Sequence, residues 1–321
     1  MPTQPVVKAQ TLVTEDGVPI EAVHLPGERD LAVVLAHGFT LSWQRPAIWR
    51  VASRLSRAGG VVTFDFRGHG RSGGLSTLGD REIKDLDAAV AYARELGYQR
   101  IAAVGFSMGA SIVVRYAGLV GGLDAAVSVS GPGRWYYRGT RPMRRVHWAV
   151  ERRAGRLVTR TWLKTRVSPA RWDPVPVPPA EAAAQIAPIP FLVVHGDKDL
   201  YFPVEHAHQL YEAAQEPKEL WIVPGFGHAE SATDAVLVDR IARWLRQAAG
   251  LPAARRPAVV QDAPDVPAPA LPGSRVCANG SASAPASESA SPGGEPGSAP
   301  GSEAGSAPGS EPGGARPSGS G

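Results

Sequence analysis

The apolar residues of this chain fall into short continuous runs, separated by longer segments in which apolar residues recur at helical spacing. A continuous run bounded by turn residues is typical of a strand buried on both faces of a parallel sheet. Alternation of such strands with helices predicts an α/β fold, with a mostly parallel sheet covered on both faces. The predicted strands are 31–36, 61–66, 101–105, 123–129, 191–194 and 220–223. The predicted helices are 46–58, 81–95, 108–117, 204–214 and 234–245.

Turn and cap residues place the ends of several elements. Glu15-Asp16-Gly17 predicts a hairpin turn between two short strands within residues 11–24. Asp80 is predicted to cap the helix that ends before Gly97, and Thr233 to cap the last helix. In such a sheet the carboxyl ends of the parallel strands share one edge, where ligands bind.

The alternation stops between residues 131 and 187, which we interpret as an insertion. Within it, apolar residues recur every three or four positions, which predicts one face of a single helix, and arginines fall on another face. The apolar positions are Met143, Val146, Val150, Ala154 and Leu157, and the arginines are Arg145, Arg152 and Arg156.

Composition divides the chain into two parts. From residue 251 onward the sequence consists mainly of Pro, Ala, Gly, Ser and Glu, with repeats of Gly-Ser-Ala-Pro-Gly-Ser-Glu within 297–311. Such a segment cannot bury enough apolar surface to offset its chain entropy, which predicts disorder. We therefore expect an α/β domain over residues 1–250 and a disordered tail over 251–321.

Charge and cysteine content narrow the functional classes. The chain has 34 Lys and Arg against 30 Asp and Glu, but residues 134–171 alone hold twelve basic residues and one acid, Glu151. One local patch is not a general nucleic-acid surface, so no nucleic-acid partner is expected. The single cysteine, Cys277, excludes a disulfide within the chain. Since we find no signal peptide and no run near the ~20 apolar residues of a membrane span, we expect a cytoplasmic protein.

The segment Gly105-Phe106-Ser107-Met108-Gly109 follows a predicted strand and precedes a predicted helix. In that context a Gly-x-Ser-x-Gly motif forms a sharp turn that strains the serine backbone and exposes its hydroxyl. Only glycine fits two residues before and after such a serine. The Met108 amide, at the helix start, is an unsatisfied donor suited to a developing oxyanion. Ser107 is therefore the candidate nucleophile.

A serine nucleophile needs a histidine base and a carboxylate that orients the histidine. His228 follows the last predicted strand and is the candidate base. Asp199 and Asp197 both follow strand 191–194, and the spacing favours Asp199 as the acid, while Asp65 is a third candidate. We interpret the other histidines considered as structural. His37 and His69 shape loops, and His195 ends a strand. His206 and His208 are expected at the surface of a helix.

Five motifs stand in a recognisable order along residues 10–250. They are His37-Gly38-Phe39, the Asp-x-Arg-Gly-His-Gly-x-Ser segment 65–72, the 105–109 segment, Gly196-Asp197-Lys198-Asp199 and Gly227-His228. Together they resemble the α/β-hydrolase superfamily. The residues within the motifs are similar to those of its monoacylglycerol lipase, lysophospholipase and carboxylesterase branch. The resemblance implies Ser107 as nucleophile, His228 as base and Asp199 as acid. It also implies an oxyanion hole formed by the Phe39 and Met108 amides, and no metal or organic cofactor.

The resemblance implies a carboxylic-ester hydrolase that acts on small or lipid-like acyl esters, with residues 131–187 as a lid. A thioesterase, amidase, acyltransferase or perhydrolase would use the same three side chains. A further alternative is a binding protein with a hydrolase fold and no catalytic activity. The basic lid leaves three interpretations open. Arg145, Arg152 and Arg156 form a solvated face, contact an anionic membrane surface, or bind an acidic or phosphate-bearing substrate.

Overall fold

The computed structural model describes residues 8–252, and all statements of structure below concern that range. Its strands are β1 Ala9–Val13, β2 Pro19–Leu25, β3 Leu31–Ala36, β4 Gly60–Phe64, β5 Arg100–Phe106, β6 Ala125–Val129, β7 Phe191–Gly196 and β8 Lys218–Val223. Its helices are α1 Pro46–Leu55, α2 Glu82–Glu95, α3 Met108–Leu119, α4 Arg141–Glu151, α5 Arg153–Thr161, α6 Pro179–Ala183, α7 Glu205–Ala213, α8 Ala229–Ala232 and α9 Ala235–Ala248.

The strands form one 8-stranded sheet in the order β1-β2-β4-β3-β5-β6-β7-β8. The first hairpin pairs antiparallel, and β2 also pairs antiparallel with β4. From β4 to β8 every pairing is parallel. The predicted α/β fold with a mostly parallel sheet is therefore confirmed, and the carboxyl ends of β3 to β8 share one edge.

Apolar runs without alternation arise because both faces of the sheet are covered. Val33 and Leu35 of β3 pack in a cluster with α1 and α9, while Val34 and Ala36 pack in a cluster with α2 and α3 on the opposite face. All four side chains are fully buried. Since successive residues of a strand point to opposite faces, the positions of a central strand are mostly apolar.

The prediction that Asp80 caps α2 is wrong. The helix begins at Glu82, and its N-cap residue, Arg81, makes no side-chain cap. The buried Glu82 carboxylate instead accepts hydrogen bonds from the Leu78 and Gly79 amides of the preceding loop. A carboxylate in the first helical turn therefore organises the loop, and Asp80 lies outside that arrangement.

The prediction that Thr233 caps the last helix is also wrong, by one residue. Asp234 is the N-cap of α9, and its side chain accepts a hydrogen bond of 2.8 Å from the Leu237 amide. The Thr233 hydroxyl donates instead to the Ala229 carbonyl oxygen. Thr and Asp are both good N-cap residues, and the loop after α8 decides which of them takes the position.

The single helix predicted in the insertion is two helices, α4 and α5. The chain leaves helical geometry at Arg152, with φ −94° and ψ 141°. A Cβ on Gly155 would lie 2.3 Å from the Trp148 carbonyl oxygen, so the absence of a side chain allows the two helices to pack closely. Ala154 and Leu157 are consequently exposed, and their predicted place on the apolar face is wrong.

The insertion is attached to the domain at both of its ends. Near its start, the Gly133 amide donates to Nδ1 of His206 on α7, with a distance of 3.1 Å. Near its end, Val167 forms a parallel bridge with Ser76, in the loop after β4. The predicted surface position of His206 is therefore wrong, because the insertion covers it and leaves it 2% exposed.

The predicted boundary at residue 250 stays a prediction. The last helix ends at Ala248, and residues 253–321, with Cys277, lie outside the described part of the chain. Within 8–252, no helix has both the length and the apolar character needed to cross a membrane.

Burial of His206 predicts a change in the pH dependence of stability. Burial is the main reason that the pKa of this histidine is lowered from 6.5 to about 4. Between these values the unfolded chain binds a proton that the folded chain does not, so the free energy of unfolding falls as the pH decreases. The slope from one such group is at most about 1.4 kcal/mol per pH unit.

We expect His206→Gln to reduce this pH dependence of the free energy of unfolding between pH 6 and pH 4.5. The reduction corresponds to the uptake of about one proton on unfolding, and urea unfolding at each pH measures it. Glutamine is a polar side chain that does not titrate in this pH range. His208→Gln, at an exposed position of the same helix, is the matched control. Equal slopes for the wild type and His206→Gln would contradict the prediction.

Candidate active site

Ser107 lies in the turn between β5 and α3, with φ 51° and ψ −112°. A non-glycine residue in this region is strained, and its neighbours must be small. A Cβ on Gly105 would lie 2.3 Å from the Gly109 carbonyl oxygen, and a Cβ on Gly109 would lie 2.3 Å from that of Ala36. The Ser107 amide donates to the Val129 carbonyl oxygen of β6, which holds the turn against the sheet.

Three side chains from different strand ends form one hydrogen-bonded chain. The Nε2 atom of His228 lies 3.0 Å from the Ser107 hydroxyl oxygen, and its Nδ1 atom lies 2.7 Å from Oδ2 of Asp199. A carboxylate at Nδ1 requires a proton on that nitrogen, which leaves Nε2 free to accept the serine proton. The arrangement can therefore activate an alcohol as a nucleophile.

The Asp199 side chain is fully buried and is held as a carboxylate. Burial raises its pKa, but the hydrogen bond and positive charge of His228 lower it, and so do the hydrogen bonds from the Phe202 and Tyr201 amides. The net pKa lies below its usual value. An ionised carboxylate in this position both orients the imidazole and stabilises the imidazolium.

The two other acid candidates face different partners. Asp197 is partly exposed and accepts a hydrogen bond of 2.7 Å from the Gly225 amide. Asp65 is buried and accepts hydrogen bonds from the Trp43 and Arg71 amides, and burial raises its pKa to about 7. Both carboxylates shape loops, and Asp199 is the candidate placed against His228.

The histidines interpreted as structural hold backbone in place. His37 donates from Nδ1 to the Gly38 carbonyl oxygen and accepts the Phe66 amide proton at Nε2. Burial lowers its pKa to about 3, so its ring is neutral. His195 donates to the Phe202 carbonyl oxygen at 2.8 Å. Over residues 8–252, no three His, Cys, Asp or Glu residues are grouped so that they could hold a metal ion.

The amides of Phe39 and Met108 flank the serine. Strands β3 and β5 pair in register, which places the loop after β3 beside the Ser107 turn. A Cβ on Gly38 would lie 3.4 Å from the Cβ of Ser107. Neither amide donates a hydrogen bond to another group in the described part of the chain. Both are therefore available to an oxygen that gains negative charge beside the serine.

Glu230 is a site residue that sequence reasoning missed. It lies two positions after His228 and is 2% exposed, and its Oε1 atom accepts the Gly38 amide proton at 2.9 Å. Burial raises its pKa. The position of an acidic residue so close to a candidate base could have been noticed in the sequence. No sequence signal indicated that it binds the Gly38 amide, 192 positions away.

The insertion and the sheet edge enclose a cavity of about 1150 Å³. Ser107, His228 and Tyr201 line it from the sheet side, and the Tyr201 ring stacks on the His228 ring with 4.3 Å between centroids. The insertion contributes an aromatic group, Trp135, Tyr136 and Trp172, whose rings contact one another. A ligand held in this cavity would lie against the Ser107 hydroxyl.

The three arginines that the sequence placed on one face of the insertion lie in two different environments. Arg145 and Arg152 line the cavity. Arg156 does not line it, and its guanidinium donates to the Val150 and Glu151 carbonyl oxygens at 3.0 and 2.9 Å. These are the last carbonyls of α4, so Arg156 caps that helix.

Comparisons with known proteins show the family. Residues 33–271 match the alpha/beta hydrolase family. The chain is 30% identical over 255 residues to a monoacylglycerol lipase of Mycolicibacterium smegmatis, in an alignment that covers 66% of this chain and 87% of that protein.

Solved structures show the same architecture. The esterase Pf2001 of Pyrococcus furiosus is similar at 25% identity with a TM-score of 0.60, over 75% of this chain and 90% of that one. The alpha/beta hydrolase GrgF from Penicillium sp. sh18 shares the fold at 18% identity with a TM-score of 0.60, over 76% of this chain and 99% of that one. With its family match, its sheet order and its Ser107 turn, this chain belongs to the alpha/beta hydrolase family.

Proposed function

We propose that this protein is a serine hydrolase that cleaves carboxylic esters of small or lipid-like acyl groups. The observation that carries the proposal is the hydrogen-bonded chain from Ser107 through His228 to Asp199, at 3.0 and 2.7 Å. The names of two relatives, a monoacylglycerol lipase and an esterase, support the same class of reaction.

The proposed reaction begins when Ser107 attacks the ester carbonyl carbon while His228 takes the hydroxyl proton. The carbonyl oxygen becomes an oxyanion, which the Phe39 and Met108 amides bind. Each such donor is typically worth about 3 kcal/mol of the activation barrier. As the carbon–oxygen bond of the ester breaks, His228 gives its proton to the leaving alcohol.

Hydrolysis of the acyl-enzyme reverses these roles with water as the nucleophile. Water occupies the place of the departed alcohol and gives a proton to His228, and its oxygen attacks the acyl carbon. The tetrahedral intermediate collapses, the acid leaves, and the proton returns to Ser107. Asp199 remains ionised throughout and stabilises the imidazolium in both halves of the reaction.

The cavity wall supports an acyl substrate with apolar character. Val146, Ala149 and Val150 line it from α4, and the aromatic group of Trp135, Tyr136 and Trp172 lines it from the loops of the insertion. Burial of an acyl chain against such a wall contributes about 0.8 kcal/mol for each methylene removed from water.

Substitution of the two neighbouring aspartates tests the assignment of the acid. We expect Asp199→Asn to lower kcat for p-nitrophenyl butyrate by about 10⁴-fold, because an amide no longer fixes the tautomer of His228. Asp197→Asn is the matched control and should stay within a few-fold of the wild type. Initial rates on purified, folded variants provide the measurement. A larger loss for Asp197→Asn than for Asp199→Asn would reverse the assignment.

Glu230 is proposed as a positioning residue, since it joins the loop of His228 to the loop that carries the Phe39 amide. We expect Glu230→Ala to lower kcat about tenfold or more with little change in KM, because a hydrogen bond to a charged group typically contributes about 1.5–3 kcal/mol. Glu230→Gln keeps an acceptor oxygen for the Gly38 amide and should recover most of kcat.

Thermal unfolding separates this role from a purely structural one. If Glu230→Ala lowers the unfolding midpoint but leaves kcat at the wild-type value below that midpoint, Glu230 does not position the oxyanion loop. A Glu230→Gln variant as slow as Glu230→Ala would also count against the proposal.

A further inference from the structure

Five arginines line the cavity. They are Arg134, Arg138, Arg145, Arg152 and Arg171. Two of the five have partners, since Arg138 pairs with Glu151 and Arg134 lies over the Tyr137 ring. The guanidinium groups of the other three have no ion pair or hydrogen bond with any residue of the described range. We call these three, Arg145, Arg152 and Arg171, the arginine cluster.

The acidic residues of the cavity wall do not neutralise the arginine cluster. Glu151 binds His147 and Arg138, and the hydrogen bond from His147 is the main reason that its pKa is lowered. Glu230 accepts the Gly38 amide proton on the sheet side of the cavity. The wall therefore carries uncompensated positive charge, which raises the local concentration of anions.

The arginine cluster comes from two segments of the insertion. Arg145 belongs to α4, and Arg152 is the residue between α4 and α5. Ala149, between them, also lines the cavity and leaves space between the two longer side chains. Arg171 belongs to the loop that carries Trp172, another lining residue.

We propose that the arginine cluster binds an anionic group of the substrate, a phosphate or a carboxylate, while the ester reacts at Ser107. Guanidinium groups bind both kinds of anion through paired hydrogen bonds, and they stay charged at any physiological pH. This inference rests on the proposed function, because it names the class of ester that the same cavity selects.

Matched pairs of esters test the inference. One pair is a 1-acylglycerol and the 1-acylglycerol 3-phosphate with the same acyl chain. The other pair is p-nitrophenyl hexanoate and the mono-p-nitrophenyl ester of adipic acid, which has the same chain length and a terminal carboxylate. The quantity to compare is kcat/KM for the anionic ester divided by kcat/KM for its neutral partner.

We expect the double variant Arg145→Gln, Arg152→Gln to lower this ratio roughly tenfold in at least one pair, with little change for the neutral esters. The pair that responds more strongly distinguishes a phosphate from a carboxylate. The matched control is Arg153→Gln, Arg160→Gln, which removes the same charge from exposed positions of the insertion outside the cavity wall. We expect the control to keep the wild-type ratio.

Two results would overturn the inference. One is an unchanged ratio in the Arg145, Arg152 variant for both pairs. If that variant also loses sedimentation on vesicles of phosphatidylglycerol, the arginines contact a membrane surface instead. The other result is an equal fall of the ratio in the control, which would indicate general attraction of anions by the basic lid. Whether the wild-type protein turns over the neutral esters tests the proposed function, and this test does not depend on the ratio.

Discussion

The backbone of Ser107 is held at positive φ, and the rest of the site depends on that conformation. A serine does not adopt it without cost, so the surrounding structure must fix it. The pairing of β5 between β3 and β6, the bond from the Ser107 amide to Val129, and the contact between Gly105 and Gly109 do so together. The result is a hydroxyl at the carboxyl edge of the sheet and a helix that starts at the next residue.

The sheet edge and the insertion make separate contributions to the site. The loops after β3, β5, β7 and β8 bring the candidate site residues to one edge of the sheet. Buried polar side chains such as His37, Asp65 and Glu230 hold these loops through backbone hydrogen bonds. The insertion adds the cavity wall, with its aromatic group and its arginine cluster. We therefore propose that the sheet edge carries the chemistry and that the insertion selects the substrate.

The sequence predicts the fold and the candidate residues of the sheet edge because their signals are local. A continuous apolar run, the Gly-x-Ser-x-Gly turn and the short motifs that contain Asp199 and His228 can each be read within a few residues. The misses at Arg152, His206 and Glu230 arise from partners that are distant in sequence or lie in an adjoining helix. The miss at Asp80 is local, because the Glu82 carboxylate binds the amides of the preceding loop. Glu230 binds Gly38 across 192 positions, and Gly155 fits against Trp148 of the preceding helix.

The central claim is that Ser107 is the nucleophile of a serine hydrolase. Its most direct test is reaction of the full-length protein with a fluorophosphonate at pH 7.5, followed by peptide mapping by mass spectrometry. The account predicts one adduct, on the hydroxyl of Ser107, formed in step with loss of esterase activity. An adduct on another residue, or full esterase activity in a protein whose Ser107 is replaced by alanine, would contradict it.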